Sequence, residues 1–445
     1  MRCWLLFCIL IQNAPAQNTP SELLLAVRKK VLVTVNKLPK YLCTETIDRA
    51  TFQPEAKLKK PSCDDLSALR KNSKWKTRMS RSDRLRLDVA LSKDAEMYSW
   101  VGENRFGDHS LADLVGSGVT STGTFGDFLA AIFGTKAATF SYIGDKSIDG
   151  RRLTEFGFSV PKDKSTYIVG STKHNGVVPY DGTFVVDPAT FDLVQLVIRA
   201  FDFPEGLDAC EDVTTLDYRT IKVRNADVLL PSQTLLAVAN SDGSEFENRT
   251  AFSGCHEFLG ESTVRFDDAL DGQTPASSKP PPLPLVLPPG LHFRLELAEP
   301  IPAATAAAGD TFTATLTSNL GEKHNVLVTK GARVTGRILQ IERNYYASGA
   351  QSLTMSLKLE SIEREGVPWP ISARLVSEAQ VISNFQHRRG ELTVRQDLGS
   401  FDEMSNPAVS VIHLRGVNDK YVIYRGFELA GETVMASSPA PEAAH

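Results

Sequence analysis

The sequence contains no recognisable catalytic constellation. The patterns GxSxG, HExxH and the P-loop are absent, and no GxGxxG follows a predicted strand. The eight histidines are scattered, and no two of them have metal-ligand spacing. These residues therefore indicate no nucleophile, acid–base pair or cofactor, and we expect a protein that is not an enzyme.

Two pairs of carboxylates could be imagined as calcium ligands, namely Asp145 with Asp149 and Asp242 with Glu245. Both pairs lie in predicted hairpin turns, where Asp followed by Gly is ordinary turn chemistry. His256 beside Cys255 is a single candidate zinc ligand without companions. We therefore expect no metal site.

Cysteine usage favours structural disulfides. Two of the six cysteines lie in the apolar N-terminus, and the remaining four are Cys43, Cys63, Cys210 and Cys255. An even number in an exported chain indicates disulfides, with three possible connectivities. We favour Cys43–Cys63 and Cys210–Cys255, because the members of each pair flank neighbouring strand-like segments.

One apolar segment stands out from the strand pattern. Thr124 is a plausible N-cap with Asp127 at the third helical position, and Gly134 is a helix stop. Five side chains share one face of this predicted helix: Phe125, Phe128, Leu129, Ile132 and Phe133. This face either packs into the core or acts as a lid or plug over a concave sheet that holds an acyl chain or a similar apolar ligand.

The N-terminus indicates export. Arg2 precedes the short apolar run Cys3–Ile11, and Ala14 and Ala16 form a small-x-small cleavage site. We predict a signal peptide over 1–16, because the run is too short to span a bilayer. A periplasmic or extracellular location follows, with no integral membrane span later in the chain. The net charge of −4 shows no basic excess and gives no indication of nucleic-acid binding.

The mature chain is predicted to begin with a helix. Thr19, Pro20 and Glu22 form a capping box with proline at the first helical position. Pro39 is predicted to end the helix. Five apolar residues share one face of it: Leu24, Val27, Val31, Val35 and Leu38. Alternating strand patterns separated by turn signals then continue to Phe266, which predicts one large, curved antiparallel sheet.

A proline-rich stretch over 271–290 predicts a semi-rigid linker between two domains. The first domain covers 17–270 and the second 291–434, with a disordered tail over 435–445. The fold class is mainly β: a curved antiparallel half-barrel with packed helices (α+β), followed by a small C-terminal β-barrel.

The first domain resembles the lipoprotein-carrier half-barrel family, the LolA/LolB-like fold. The resemblance lies in the exported chain, the opening helix that ends near Pro39, and the antiparallel meander interrupted by an apolar helix. It covers roughly Pro20 to Asp268. It implies a lipid or lipoprotein acyl chain as ligand.

The second domain resembles the small barrel of TrbI-like outer-channel proteins of type IV secretion. The matching segments are Leu287–Gly290, Ala308–Asp310 and Val328–Arg337. In the last segment, Lys330 and Gly331 predict a turn, and Gly336 predicts a close backbone approach. These are structural residues, so the resemblance implies a fold and no chemistry.

Two functions remain open at this point. The first is an exported, non-catalytic envelope protein that binds an apolar or lipid-like ligand in the concave face of the N-terminal half-barrel. The second is a structural scaffold of the envelope that binds no ligand and contacts an envelope protein partner.

Overall fold

A computed structural model describes residues 19–55, 62–72, 75–92, 95–103, 106, 111–115, 118–148, 150–170, 174–224, 226–257, 287–322, 324–376, 391–395 and 408–435. The predicted signal peptide with Ala14 and Ala16, most of the proline-rich linker and nearly all of the predicted tail lie outside these residues. Among the described helices, none combines the length and apolar character needed to cross a membrane.

The first helix, α1 (Pro20–Val35), begins with the predicted capping box. Thr19 accepts a hydrogen bond from the backbone N–H of Glu22, and the Glu22 carboxylate accepts one from the backbone N–H of Thr19. The helix ends four residues before Pro39, and Leu38 is buried in a following 3₁₀ turn. The fully buried positions are Leu23, Val27, Val31 and Thr34, so the buried stripe is rotated slightly from the predicted one.

Ten antiparallel strands form one sheet in the described part of the predicted first domain, which confirms the predicted β-rich class. They are β1 (Tyr41–Pro54), β2 (Thr77–Ser92), β3 (Ala95–Trp100), β4 (Thr139–Ile148), β5 (Arg151–Val160), β8 (Tyr180–Val186), β9 (Leu193–Ala200), β10 (Ala209–Val223), β11 (Ala226–Asn240) and β12 (Glu245–Glu257). A separate small hairpin contains β6 (Ile168–Gly170) and β7 (Asn175–Val177). The spatial order runs from β4 through β5, β8, β9, β10, β11, β12, β1 and β2 to β3. The first long strand is thereby inserted between the last strand and the second.

Three further helices interrupt these strands: α2 (Cys63–Lys71), α3 (Leu111–Val115) and α4 (Asp127–Leu129). A π-helical turn, Ala130–Gly134, continues directly from α4. The helix α2 lies inside a polar stretch of the chain. Its own capping box, Ser62 with Asp65, starts it locally.

Thirteen strands lie in the described part of the predicted second domain. They are β13 (His292–Leu297), β14 (Ile301–Pro302), β15 (Thr311–Leu316), β16 (Leu320–Glu322), β17 (Asn325–Val328), β18 (Arg333–Tyr345), β19 (Gln351–Arg364), β20 (Val367–Pro370), β21 (Ala373–Val376), β22 (Glu391–Arg395), β23 (Val409–Arg415), β24 (Val422–Ile423) and β25 (Glu428–Thr433). β13, β15, β18 and β19 pair in succession, β20 continues from β19, and β21 pairs with β25, which returns to β13. Gly336 makes the predicted close approach, since a Cβ there would lie 2.4 Å from the Phe312 ring.

The two domains share hydrogen bonds through β2. Arg81–Asp83 of β2 pairs with Glu342–Asn344 of β18, so one sheet continues from one domain into the other. Farther along, the backbone of Ala308 donates to Arg84 (2.8 Å) and accepts from Arg86 (2.7 Å). Gly309 has φ +99°, and a Cβ there would lie 2.1 Å from the Arg86 carbonyl oxygen. This backbone contact therefore requires glycine.

The predicted disulfide connectivity is wrong. Cys43 is bonded to Cys255, and Cys63 is bonded to Cys210. β1 pairs with β12, with Leu42 opposite His256, so that Cys43 comes beside Cys255 across the ladder. The prediction paired cysteines that are close in the sequence, but the partner of Cys43 lies 212 residues away.

We expect peptide mapping under non-reducing conditions to find fragments that join Cys43 to Cys255 and Cys63 to Cys210. The paired replacement of Cys43 and Cys255 by alanine is expected to lower the free energy of unfolding by about 2–5 kcal/mol, measured by urea denaturation. A fragment that joins Cys43 to Cys63 would contradict this topology.

Candidate functional site

The helix that the sequence singled out begins later than predicted. We call α4 together with the π-helical turn, Asp127–Gly134, the lid helix. Its N-cap position is Gly126, which has no side chain to cap the helix. Thr124, the predicted N-cap, is buried, and its hydroxyl oxygen makes no hydrogen bond to any residue that the structure describes. The group that binds the N–H groups of this segment could not be found from the local sequence, because it is a side chain of the strand β3.

Glu96 of β3 holds the start of the lid helix. Its carboxylate accepts backbone hydrogen bonds from Gly123 (2.7 Å), Phe125 (2.6 Å) and Gly126 (3.3 Å). The hydroxyl of Tyr98 also donates to it. An acidic side chain at the N-terminus satisfies free N–H groups and complements the helix dipole. Glu96 therefore caps the segment 123–126, which leads into the lid helix.

Arg28 of α1 holds the other end. Its Nη2 donates to the carbonyl oxygen of Phe133 (3.3 Å), and its guanidinium lies 5.2 Å from the centre of the Phe140 ring. A cation at a helix C-terminus interacts favourably with the last carbonyl groups. The lid helix is thus attached at both ends by charged side chains that belong to other elements.

All five predicted lid residues are buried. The exposed fraction of Phe125, Leu129, Ile132 and Phe133 is at most 1%, and that of Phe128 is 6%. Four of them belong to one core cluster with α1 and the sheet, and Phe125 packs in a second cluster beside Phe252. In this conformation these side chains fill the space between the lid helix and the sheet.

The sheet beneath the lid helix is aromatic. Phe133 lies 5.1 Å from Phe184 in an edge-to-face arrangement, and Phe184 stacks on Phe156 at 5.3 Å. Phe128 meets Tyr167 edge to face at 5.3 Å. Such pairs add about 0.5–1.5 kcal/mol each beyond the area they bury. The face of the sheet that the lid helix covers is consequently a large apolar surface with few polar groups.

A second buried carboxyl group lies near Glu96. Glu45 is 1% exposed, and one of its carboxyl oxygens makes no hydrogen bond. Burial raises its pKa well above the ordinary value, and the nearby charge of Glu96 raises it further. Burial also raises the pKa of Glu96, while its hydrogen bonds oppose that change. The two carboxyl groups therefore differ in their surroundings, because the hydrogen bonds that favour the charged form belong to Glu96.

A hydrogen bond between Tyr167 and Asp212 lies beside Phe128. The hydroxyl of Tyr167 donates to the carboxylate of Asp212, 3.2 Å from Oδ2, and the Tyr167 ring also packs against Tyr180. Asp212 is 5% exposed, and burial raises its pKa to about 6. Tyr167 thus connects the lid helix to a carboxyl group on β10 that titrates near neutral pH.

A groove lies on the opposite face of the same sheet. Its volume is about 580 Å³, within the range of ligand sites. The strand register places small side chains in one row across it, among them Ser141, Gly157 and Thr183. Asp181 and Arg199 form an ion pair there (3.0 Å). None of the five lid residues lines this groove, so the two faces of the sheet are separate candidate sites.

The imagined metal ligands have other partners. Asp145 pairs with Arg152, and Asp242 accepts hydrogen bonds from the backbone and hydroxyl of Ser244. Cys255 is in a disulfide. Asp149 lies outside the described residues.

No family model matches the sequence, and no curated protein matches it. The chain is similar to the crystal structure of a DUF1329 family protein from Desulfovibrio piger, with 13% identity and a TM-score of 0.24 over 53% of this chain and 93% of that one. It is also similar to an outer membrane lipoprotein-sorting protein domain from Vibrio parahaemolyticus, with 11% identity and a TM-score of 0.25 over 54% and 94% of the two chains. At these scores neither neighbour assigns a function. The comparisons give no support to the TrbI-like resemblance of the second domain.

We expect Glu96→Gln to lower the free energy of unfolding by about 2 kcal/mol, because an amide is uncharged and its single oxygen cannot replace both carboxylate oxygens, which accept from Gly123 and from Phe125 and Gly126. Urea denaturation measures the loss, and hydrogen exchange should localise it to 123–126. The matched control is Glu155→Gln, whose carboxylate pairs with the exposed Lys146 at 3.1 Å. A loss at Glu96 no larger than that of the control would contradict its role as the cap.

The pKa of Asp212, raised to about 6, makes stability depend on pH. The folded protein binds this proton more tightly than the unfolded chain, so the stabilisation is complete below about pH 4 and is lost as the pH rises to about 6. The shift from 3.8 to about 6 corresponds to about 3 kcal/mol. We expect urea denaturation to show that the free energy of unfolding of the wild type falls by about 3 kcal/mol between about pH 4 and about pH 6, relative to that of Asp212→Asn. Parallel curves for the two proteins would contradict the prediction.

Proposed function

We propose that this chain is an exported, non-catalytic envelope protein that binds an apolar, acyl-chain-like ligand between the lid helix and the aromatic face of the sheet. The observation that carries the proposal is the lid helix itself. It is a short, irregular element, attached at its ends by Glu96 and Arg28, over a surface made largely of aromatic rings. Displacing it would expose an apolar surface without breaking the sheet.

Export is supported by the predicted signal peptide and by the two disulfides. Disulfides form and persist in oxidising compartments and are rare in the cytosol. The periplasm or the extracellular space fits both features.

Binding under the lid helix has an energetic cost. The five lid side chains occupy the space in the described conformation, so a ligand must replace their contacts. The apparent affinity then equals the intrinsic affinity multiplied by the fraction of open molecules. A variant with a weakened lid attachment should therefore bind the ligand more tightly.

A scaffold function is the second candidate, and one observation favours it. β4 pairs with β5 along one edge, and the structure gives its other edge no partner strand among the described residues. Tyr142 and Ile143 on this strand are 49% and 54% exposed. An exposed edge with apolar side chains is a surface on which another chain can add a strand.

The decisive experiment measures the affinity of the mature protein for a dansyl-labelled fatty acid by fluorescence titration. We expect Glu96→Gln to bind the probe several-fold more tightly than the wild type, because the lid helix opens more readily. Thr183→Trp, which fills the groove on the opposite face, should leave the affinity unchanged. Lipid extracted from protein purified from its native compartment should contain acyl chains.

The alternatives give different results. If Thr183→Trp abolishes probe binding and Glu96→Gln has no effect, the ligand binds in the groove and the proposal is wrong. If no variant binds the probe and the extract contains no lipid, the scaffold function is favoured.

A further inference from the structure

The junction between the two domains encloses a cleft of about 310 Å³. Its walls come from β1, β2 and β12 of the first domain and from β18 and the Asp419 loop of the second. The cleft lies on the face of the sheet away from the lid helix, since Asp48, Ala50 and Ser82 line it, while the alternate residues of β1 face the core. Clefts between domains are common positions for small-molecule sites.

Three of the four arginines that line this cleft are paired with carboxylates. Arg49 binds Asp83 through Nε (2.6 Å) and Nη2 (2.7 Å). The second pair joins Arg84 to Asp48 at 2.5 Å, and the third joins Arg249 to Glu247 at 2.6 Å. The charges of these three pairs cancel.

The fourth arginine, Arg343, differs from the other three. Its guanidinium makes no hydrogen bond or ion pair with the residues that the structure describes, and its Nη2 is buried. Burial lowers its pKa, and Arg84 nearby lowers it further, while Tyr345 and Asp419 oppose this change. A partly buried cation without a direct partner is costly, so a bound anion at this position would be stabilising.

The surroundings restrict which anion fits. Asp419 accepts a hydrogen bond from the Tyr345 hydroxyl at 2.9 Å, so it lies near Arg343 without pairing with it. The charge of Asp419 would repel a doubly charged phosphate more strongly than a singly charged carboxylate. The other wall is apolar, because Phe52 and the exposed Met79 face each other across β1 and β2.

We propose that the interdomain cleft binds a small monocarboxylate, with its carboxylate on the guanidinium of Arg343 and its apolar body against Phe52 and Met79. Arginine suits this role because its planar donors match a carboxylate. The site is independent of the acyl-chain site under the lid helix and uses none of its residues. A ligand here would touch both domains and so stabilise their junction.

The test titrates the full mature protein with benzoate, at constant ionic strength maintained by chloride, and follows binding by calorimetry and the unfolding midpoint Tm. We expect saturable binding and an upward shift of Tm. Arg343→Gln should weaken binding at least tenfold, as expected for the loss of a charged hydrogen-bond partner. The control Arg249→Gln lines the same cleft but is paired, and it should bind benzoate within about threefold of the wild type.

A second variant tests the same site if Arg343→Gln does not fold. Met79 is 37% exposed, so Met79→Glu should fold normally while placing a carboxylate beside the bound anion. It should also weaken benzoate binding at least tenfold. Absence of saturable binding to the wild type, or equal binding by all variants, would overturn the proposal. Tighter binding of inorganic phosphate than of benzoate would overturn the assignment to monocarboxylates.

Discussion

The architecture depends on the sharing of one strand, β2, between the two domains. A strand inside a sheet must satisfy its backbone N–H and C=O groups on both edges. β1 occupies one edge of β2 along its length, while β3 and the second domain divide the other edge between them. β3 pairs only with Leu87–Ser92, which leaves the preceding stretch of this edge to β18 and Ala308.

The same strand has one apolar face and one charged face. Leu85, Leu87 and Val89 face the core cluster that contains Phe125, while Ser82 and Arg84 face the interdomain cleft. Because successive side chains of a strand point to opposite faces, apolar and charged environments lie back to back across a single sheet. A change of register by one residue would exchange the two environments and bury the charged row.

Two charged side chains order the irregular backbone at the two ends of the lid helix. Glu96 binds three N–H groups of a segment that lacks a capping side chain, and Arg28 binds a carbonyl group at the other end of the lid helix. Each charge gains hydrogen bonds that offset part of its desolvation, and each holds an element that local sequence alone would leave unstable. One carboxyl oxygen of Glu45 has no hydrogen-bond partner among the described residues, and burial raises the pKa of this group well above its ordinary value.

The sequence by itself determined the local features: the capping box at Thr19, the antiparallel strand pattern, and the burial of the apolar face from Phe125 to Phe133. These depend on neighbouring residues and on periodicity, which a sequence displays directly. Only the tertiary structure decided the pairing of Cys43 with Cys255, the Glu96 cap and the cleft at Arg343. Each of these joins segments far apart in the chain, because β1 is inserted between β12 and β2. No local propensity specifies which distant strands become neighbours.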